Sequence, residues 1–286
     1  MENEYKNINW SACYKSGLSE FLQGIVCAAV LILYGKSLNT VYCGTEEYEN
    51  RSMLFKFFYM IISMNVLRSK YYVGWKITQA SVVLCGLSYD LKLNEKGEAV
   101  PNFEKIDNNL VKIELDYNPR VRINYWNRTV HLWLKYYIFL RLINVEKKLF
   151  KNNKSLASLL TFMVSAFWHG FYPVYFFFFF QYYMIEQVSK YLEEEHDLFN
   201  KISKSSMFVK IISRIIVGVT VNYFGLCFTL LTMSENFIFS RAFFFMPFIS
   251  LFGGFLYTLL AKIHYKKRSR VQNIHKEGLD MRVKAE

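Results

Sequence analysis

The sequence has little of what loops and disordered segments are made from. It contains only four prolines and 13 glycines in 286 residues, and charged residues make up 20% of the chain. Collagen-like, low-complexity and intrinsically disordered chains need more proline, glycine or charge than this. The sequence excludes these classes.

The cysteines show no pattern typical of a disulfide framework or a metal site. There are five, an odd number, at wide spacings and without a CxxC pair. Disulfide frameworks and zinc sites both need cysteines at characteristic short spacings. We therefore expect no metal, and we interpret the thiols as small apolar side chains.

Apolar residues are abundant, at 53% of the chain, and aromatic residues alone reach 19%. A helix needs about 20 mainly apolar residues to cross a bilayer. The segments that approach this length are Phe208 to Met233, Phe237 to Ile263, Leu156 to Val188 with a break at Pro173, the shorter Leu18 to Tyr34 and Met53 to Leu67, and Trp75 to Leu91, which is interrupted by polar residues. We predict an all-α, polytopic transmembrane protein in which residues 1–286 form a single membrane-embedded domain.

Two polar segments lie outside these runs. Residues 92–122 are predicted to be a polar loop, and residues 262–286 are a basic tail that follows the last apolar run directly. The chain carries a net charge of +12. Basic residues beside a span are typical of the cytosolic side of a membrane. Because the aromatic residues lie inside apolar runs, we expect no nucleic-acid partner.

The segment from Trp126 to Val145 is amphipathic at helical spacing. One predicted face carries Trp126, Val130, Trp133, Tyr137 and Leu140, and a neighbouring face carries Asn127, His131 and Lys135. Two interpretations remain open for this helix: the wall of a water-filled cavity, or an interfacial helix in the headgroup plane.

His169 lies in SAFWHGFYP, within a run that is otherwise apolar. A titratable side chain at such a place is a functional hypothesis by default, and a structural hydrogen bond between helices is the alternative. Asn127 offers both donors and an acceptor, and it could equally be a helix cap.

Three motifs in order carry a resemblance to a known family. They are RSKYYVGWKITQASVVLCGLSYD (68–90), WNRTVHLWLKYYIFLR (126–141) and SAFWHGFYPVYFFFFFQ (165–181). On these motifs the sequence resembles the membrane-bound O-acyltransferase family and its lysophospholipid acyltransferase branch, best over residues 60 to 190. Members of the family have several more spans before the first motif, so the chain is expected to be short at its N-terminus.

The resemblance implies an all-α fold with a buried catalytic cavity, in the endoplasmic reticulum. It implies transfer of a fatty acyl group from acyl-coenzyme A, a co-substrate, to the free hydroxyl of a lysophospholipid, with no further cofactor. His169 matches the family's catalytic histidine and Asn127 its partner asparagine. A base and an oxyanion donor are what this reaction needs. His131, one turn from Asn127, is the rival base.

The same resemblance suggests where the substrates bind. Arg122, Arg128 and Lys135 could pair with the phosphates of the coenzyme, although interfacial snorkelling is an equal alternative. Trp126, Trp133, Trp168 and Tyr172 could line the acyl tunnel or simply pack. A homo-oligomer is possible. Other acceptors of the family (diacylglycerol, sterol, peptide) and a non-catalytic lipid-binding protein are the alternative functions.

Overall fold

The computed structural model of the chain describes residues 8–103, 106, 108–144 and 153–283, with side chains as far as residue 264. The helices of this part are α1 (Trp10–Tyr34), α2 (Glu46–Glu49), α3 (Met53–Leu84), α4 (Leu110–Leu115), α5 (Pro119–Tyr125), α6 (Arg128–Leu134), α7 (Leu140–Asn144), α8 (Lys154–His169), α9 (Pro173–His196), α10 (Leu198–Lys204), α11 (Met207–Thr229), α12 (Met233–Ala242) and α13 (Met246–Val283). A 3₁₀ turn (Thr40–Gly44) precedes α2, and a π-helical turn (Lys135–Phe139) joins α6 to α7. The all-α prediction is confirmed, with one small antiparallel hairpin of β1 (Asp90–Leu93) and β2 (Ala99–Asn102).

Three helices of the described part are long and apolar enough to cross a membrane: α1, α11 and the first 19 residues of α13, Met246–His264. The predicted spans Leu18 to Tyr34 and Phe208 to Met233 correspond to α1 and α11. The predicted span from Phe237 to Ile263 is wrong at its start, because α12 ends at Ala242 and α13 begins only at Met246.

Two local features separate α12 from the helices on either side of it. Thr232 and Glu235 form a capping box that starts α12 after α11 has ended. Phe244 and Phe245 both have positive φ angles, of 54° and 56°, which end α12 before α13 begins. Left-handed residues cannot continue a right-handed helix.

Helix α3 replaces two shorter predicted helices, Met53 to Leu67 and Trp75 to Leu91, by one helix of 32 residues. Several of its polar side chains are buried with partners. Lys56, near the start of the first predicted helix, is only 6% exposed, and its Nζ donates to the carbonyls of Glu49 and Ala242 at 3.1 and 2.8 Å. A bilayer removes the penalty for facing apolar side chains outward, so the polar face turns inward.

Helix α1 packs closely along α3. A Cβ atom at Gly17 would meet the Leu84 side chain at 2.6 Å, so the close approach at this position requires glycine. At another point of the same interface, Lys76 Nζ lies 2.6 Å from Glu20 Oε2, and Lys76 is only 2% exposed. The two charges that interrupt the predicted spans therefore neutralise each other between the helices.

Helices α8 and α9 form a hairpin within the segment predicted from Leu156 to Val188. Pro173 is the first residue of α9, as expected from the break predicted there. Because Phe162 packs on Tyr183 and Ser155 Oγ donates to Gln187 Oε1, the two helices run antiparallel. The predicted segment therefore turns back on itself at the break before Pro173.

The segment 92–122, expected to be a polar loop, carries β2, α4 and the start of α5 in its described part. One buried charge, that of Arg68, links this segment to the long helices. Arg68 of α3 is 5% exposed, and its Nε and Nη2 donate to the two carboxylate oxygens of Glu114 in α4, at 2.7 and 2.8 Å. Its Nη1 donates to Asn222 of α11 at 2.7 Å, and the Tyr72 hydroxyl donates to Glu114 at 2.5 Å.

The substitution Glu114→Gln should lower the free energy of unfolding by about 3–5 kcal/mol, because it leaves the buried Arg68 charge without its carboxylate. Equilibrium unfolding in detergent measures this. The matched control is Glu47→Gln, which breaks a solvent-exposed ion pair with Arg51 and should leave the free energy of unfolding almost unchanged, because exposed ion pairs contribute little. Equal losses for the two variants would contradict the structural role of the buried pair.

Candidate active site

His169 is the last residue of α8, and four aromatic side chains contact its imidazole. Its neighbour Trp168 meets it edge-on at 4.7 Å between ring centroids. Phe179 stacks on it at 5.2 Å between ring centroids, and Phe228 and Tyr175 meet it edge-on at 5.1 and 5.9 Å. Phe228 belongs to α11, so the ring cage joins the α8–α9 hairpin to a spanning helix. The imidazole is thereby oriented by packing, and it makes no hydrogen bond with any described residue.

The cage is open on one side. The His169 side chain is exposed, whereas the sequence predicts a histidine buried among apolar residues. The reason is the chain reversal that follows it: Gly170 has φ +125° and ψ 177° and ends α8 at once. The open side leaves room for a reacting molecule to reach the imidazole.

Asn127 lies directly before α6 in a left-handed conformation, with φ 44° and ψ 57°. It holds the position of a helix cap, but its side chain makes no capping hydrogen bond. The first amide of α6, Arg128 N–H, donates instead to Asn108 Oδ1 at 2.9 Å. The Asn127 amide therefore remains available for another partner.

Trp126 anchors the turn that carries Asn127. Its indole packs edge-on against Trp75 at 4.8 Å and against Tyr71 at 5.6 Å, both on α3. It is partly buried in the cluster around Tyr72 and Ile113. This environment is that of a packing residue that fixes the position of its neighbour in the sequence.

No hydrogen bond or ring contact joins Asn127 to His169 within the described residues. Trp126 contacts Tyr71 of α3, and His169 contacts Tyr175 of α9. The π-helical turn after α6 packs against α8, so the second and third sequence motifs are neighbours in the fold.

The other predicted site residues separate into surface and interior positions. Trp168 and Tyr172, beside His169, are 56% and 49% exposed, and Trp133 is also exposed. Lys135 is exposed, and its ammonium lies 5.8 Å from the Tyr136 ring. Arg122 is 3% exposed and donates to the carbonyls of Asp116 and Arg214, so its predicted contact with a phosphate is wrong in this structure.

Arg128 and His131 are both partly buried. The guanidinium of Arg128 lies 5.1 Å from the Tyr125 ring, and its buried Nε has no hydrogen-bond partner. His131 interacts electrostatically with Lys135 and Arg128. The first turns of α6 and the π-helical turn after them therefore concentrate positive charge.

The predicted buried cavity stays a prediction. A groove of about 560 Å³ runs along α1 between Lys15 and Cys27, and another of about 530 Å³ lies on α13 near Tyr257. Neither His169 nor Asn127 lines these grooves. The described residues contain no group of three or more histidine, cysteine or acidic side chains that could hold a metal ion.

Several partners of the predicted residues could not be found from sequence patterns. Phe228 lies 59 positions from His169 in an ordinary apolar span, and Asn108 lies in a polar segment, 20 positions from Arg128. Only Arg68 had a signal, since the first motif begins with it, but its role as a buried ion-pair partner was not predicted.

Comparison with known proteins gives consistent results. The model of the membrane-bound O-acyltransferase family matches residues 4–233. A lysophospholipid acyltransferase of Saccharomyces cerevisiae is 30% identical over 57% of this chain and 26% of its own length. A lysophospholipid acyltransferase of Schizosaccharomyces pombe is 25% identical over 90% of this chain and 51% of its own length.

A human relative is the membrane-bound glycerophospholipid O-acyltransferase 2, 25% identical over 77% of this chain and 39% of its own length. The chain thus spans from about a quarter to about half of the length of these relatives.

The substitution Gly170→Ala should lower the free energy of unfolding by about 1–3 kcal/mol. Its φ and ψ fall in a region that is open essentially to glycine alone, whereas an added Cβ would meet neighbours only at 3.7 Å or more. The cost is therefore in the backbone. Gly74→Ala, in the middle of α3 with open space around it, is the control and should stabilise by about 0.5–1 kcal/mol. Unfolding in detergent compares the two, and an unchanged Gly170→Ala protein would contradict the strain argument.

Proposed function

The chain belongs to the membrane-bound O-acyltransferase family, and on that premise we propose that it transfers a fatty acyl group from acyl-coenzyme A to the free hydroxyl of a lysophospholipid. The observation that carries the proposal is the His169 imidazole at the end of α8. Aromatic rings contact it, and His169 nevertheless remains exposed. An oriented base with an accessible face is what deprotonation of a lipid hydroxyl requires.

The proposed reaction needs no covalent enzyme intermediate. His169 accepts the proton of the lysophospholipid hydroxyl as its oxygen attacks the thioester carbonyl. The carbon–sulfur bond then breaks, and the imidazolium returns the proton to the coenzyme A thiolate. The products are the diacyl phospholipid and free coenzyme A.

Asn127 has two possible roles, to orient the imidazole or to stabilise the oxyanion. We favour the second, since no hydrogen bond connects it to His169 and its side chain is not used as a cap. An amide N–H aimed at the carbonyl oxygen stabilises the charge that develops there in the transition state.

The phosphates of coenzyme A should bind to the positive charge along α6 and at the π-helical turn that follows it. Arg128 and Lys135 are the proposed contacts, and the unpartnered Nε of Arg128 supports the first. Trp168 and Tyr172, exposed beside His169, and Trp126 are proposed to meet the acyl chain or the lipid. We place the protein in the endoplasmic reticulum, with its basic tail at 262–286 in the cytosol; the tail side chains beyond residue 264 lie outside the described residues.

Two kinds of observation support the lysophospholipid as acceptor. Several relatives carry this substrate class in their names. A lysophospholipid also brings a charged head that must stay near water while its hydroxyl reaches His169. The cationic residues of α6 would provide a charged environment for the head, and the aromatic residues around His169 an apolar one for the chain. Diacylglycerol or a sterol needs only the apolar environment.

The substitution His169→Ala should abolish transfer, because it removes the base but leaves the surrounding rings in place. Asn127→Ala should lower kcat by about 10²–10³, the usual cost of one oxyanion donor. Purified variants in lipid nanodiscs, assayed with labelled acyl-coenzyme A, measure this. His196→Ala, at the exposed end of α9, is the control and should keep full activity. An inactive His131→Ala beside an active His169→Ala would reassign the base to the rival histidine.

Competition between acceptors tests the substrate class. Lysophosphatidylcholine, lysophosphatidylethanolamine, lysophosphatidylserine and lysophosphatidylinositol are offered together with diacylglycerol and cholesterol. At least one lysolipid should be acylated faster than both neutral lipids, because only lysolipids use the charged end of the site. Faster acylation of a neutral lipid would refute the acceptor, and no turnover by folded protein would favour a lipid-binding role.

A further inference from the structure

Asn108 is a buried asparagine that connects α3 to the start of α6. It is 6% exposed. Its side-chain Oδ1 accepts the Arg128 N–H at 2.9 Å, and its own backbone N–H donates to Gln79 Oε1 of α3 at 3.3 Å. The residue directly before Arg128 is Asn127. Asn108 therefore holds the end of the turn on which Asn127 lies.

The turn is an unusual start for a helix. A left-handed conformation is uncommon for residues other than glycine, although asparagine adopts it more readily than most. The residue before a helix normally has an extended backbone, and its side chain accepts from the second or third amide of the helix. Asn127 makes no such cap, and the hydrogen bond from Arg128 N–H to Asn108 Oδ1 is a polar contact that holds this turn.

We propose that Asn108 is the positioning residue of Asn127: by accepting the Arg128 N–H it holds the backbone of the turn that carries Asn127, and so aims the Asn127 amide at the reacting carbonyl. This inference rests on the proposed acyl transfer. Asn108 itself does not touch the reacting atoms. Trp126, packed on α3, fixes the other end of the same turn.

The test compares Asn108→Ala, Asn108→Asp and the neighbouring control Asn109→Ala in the full chain, reconstituted in nanodiscs. Asn109 caps α4 by accepting the Lys112 N–H at 3.1 Å, so its loss removes the same kind of bond from another helix. Asn108→Ala should lower kcat by about 10–100-fold, as expected for a displaced catalytic group, with KM unchanged. Asn108→Asp keeps an acceptor oxygen and should retain activity within about threefold. Asn109→Ala should remain fully active.

Combination with Asn127→Ala separates positioning from general stability. If Asn108 acts through Asn127, the double variant should be no slower than Asn127→Ala alone, since residues that act as a unit are not additive. A double variant whose loss of kcat equals the product of the two single losses would overturn the proposal. So would equal losses of kcat in Asn108→Ala and Asn109→Ala.

Amide hydrogen exchange of the same samples tests the hydrogen bond between Arg128 and Asn108 independently of activity. The peptide that covers residues 126–132 should exchange faster in Asn108→Ala than in the wild type, and Asn108→Asp should restore its protection. Unchanged exchange would refute the contact. A wild-type protein that acylates no lipid would refute the proposed function alone, and the exchange result would still decide whether Asn108 holds the turn.

Discussion

The Arg68–Glu114 pair is the constraint around which the described helices are arranged. Taking two ions out of water costs several kcal/mol for each, and only close geometry with further hydrogen bonds repays that cost. Tyr72 and Asn222 supply those bonds. The pair can therefore exist only where α3, α4 and α11 meet, and their meeting fixes the polar connection that leads through α5 to Asn127. The candidate site depends on charges that take no part in its chemistry.

The sequence predicted the parts of the fold in which local signals and membrane physics agree. Pro173 marked the hairpin break, and the apolar length of α11 was sufficient to find it. Helix α3 was divided wrongly because the polar stretch that begins at Arg68 interrupts the apolar pattern, whereas Arg68 is buried against Glu114 inside the protein. The separation of α11 from α12 left one readable signal, the Thr232 and Glu235 capping box. The left-handed Phe244 and Phe245, which separate α12 from α13, left none.

The candidate site likewise contains residues that a sequence motif indicates and residues that only tertiary packing brings close. His169 and Asn127 were identified because each lies in a motif with unusual chemistry. Their supports, Phe228 and Asn108, come from distant parts of the chain with ordinary local sequence. No spacing rule relates residue 108 to residue 128, because tertiary packing alone brings them together. The role expected for Arg122 failed for a related reason: its partners are backbone carbonyls, which a sequence does not display.

Helix α13 adds a mechanical property to the fold. It continues without a break for 19 residues beyond the end of its membrane-crossing part at His264, as far as Val283. At about 1.5 Å per residue this extension is a rod of roughly 28 Å. A rod continuous with a span works as a lever: a change of tilt inside the bilayer by about 20° moves its far end by roughly 10 Å. A change in the tilt of α13 would thus produce a larger displacement at the far end of the extension than within the bilayer.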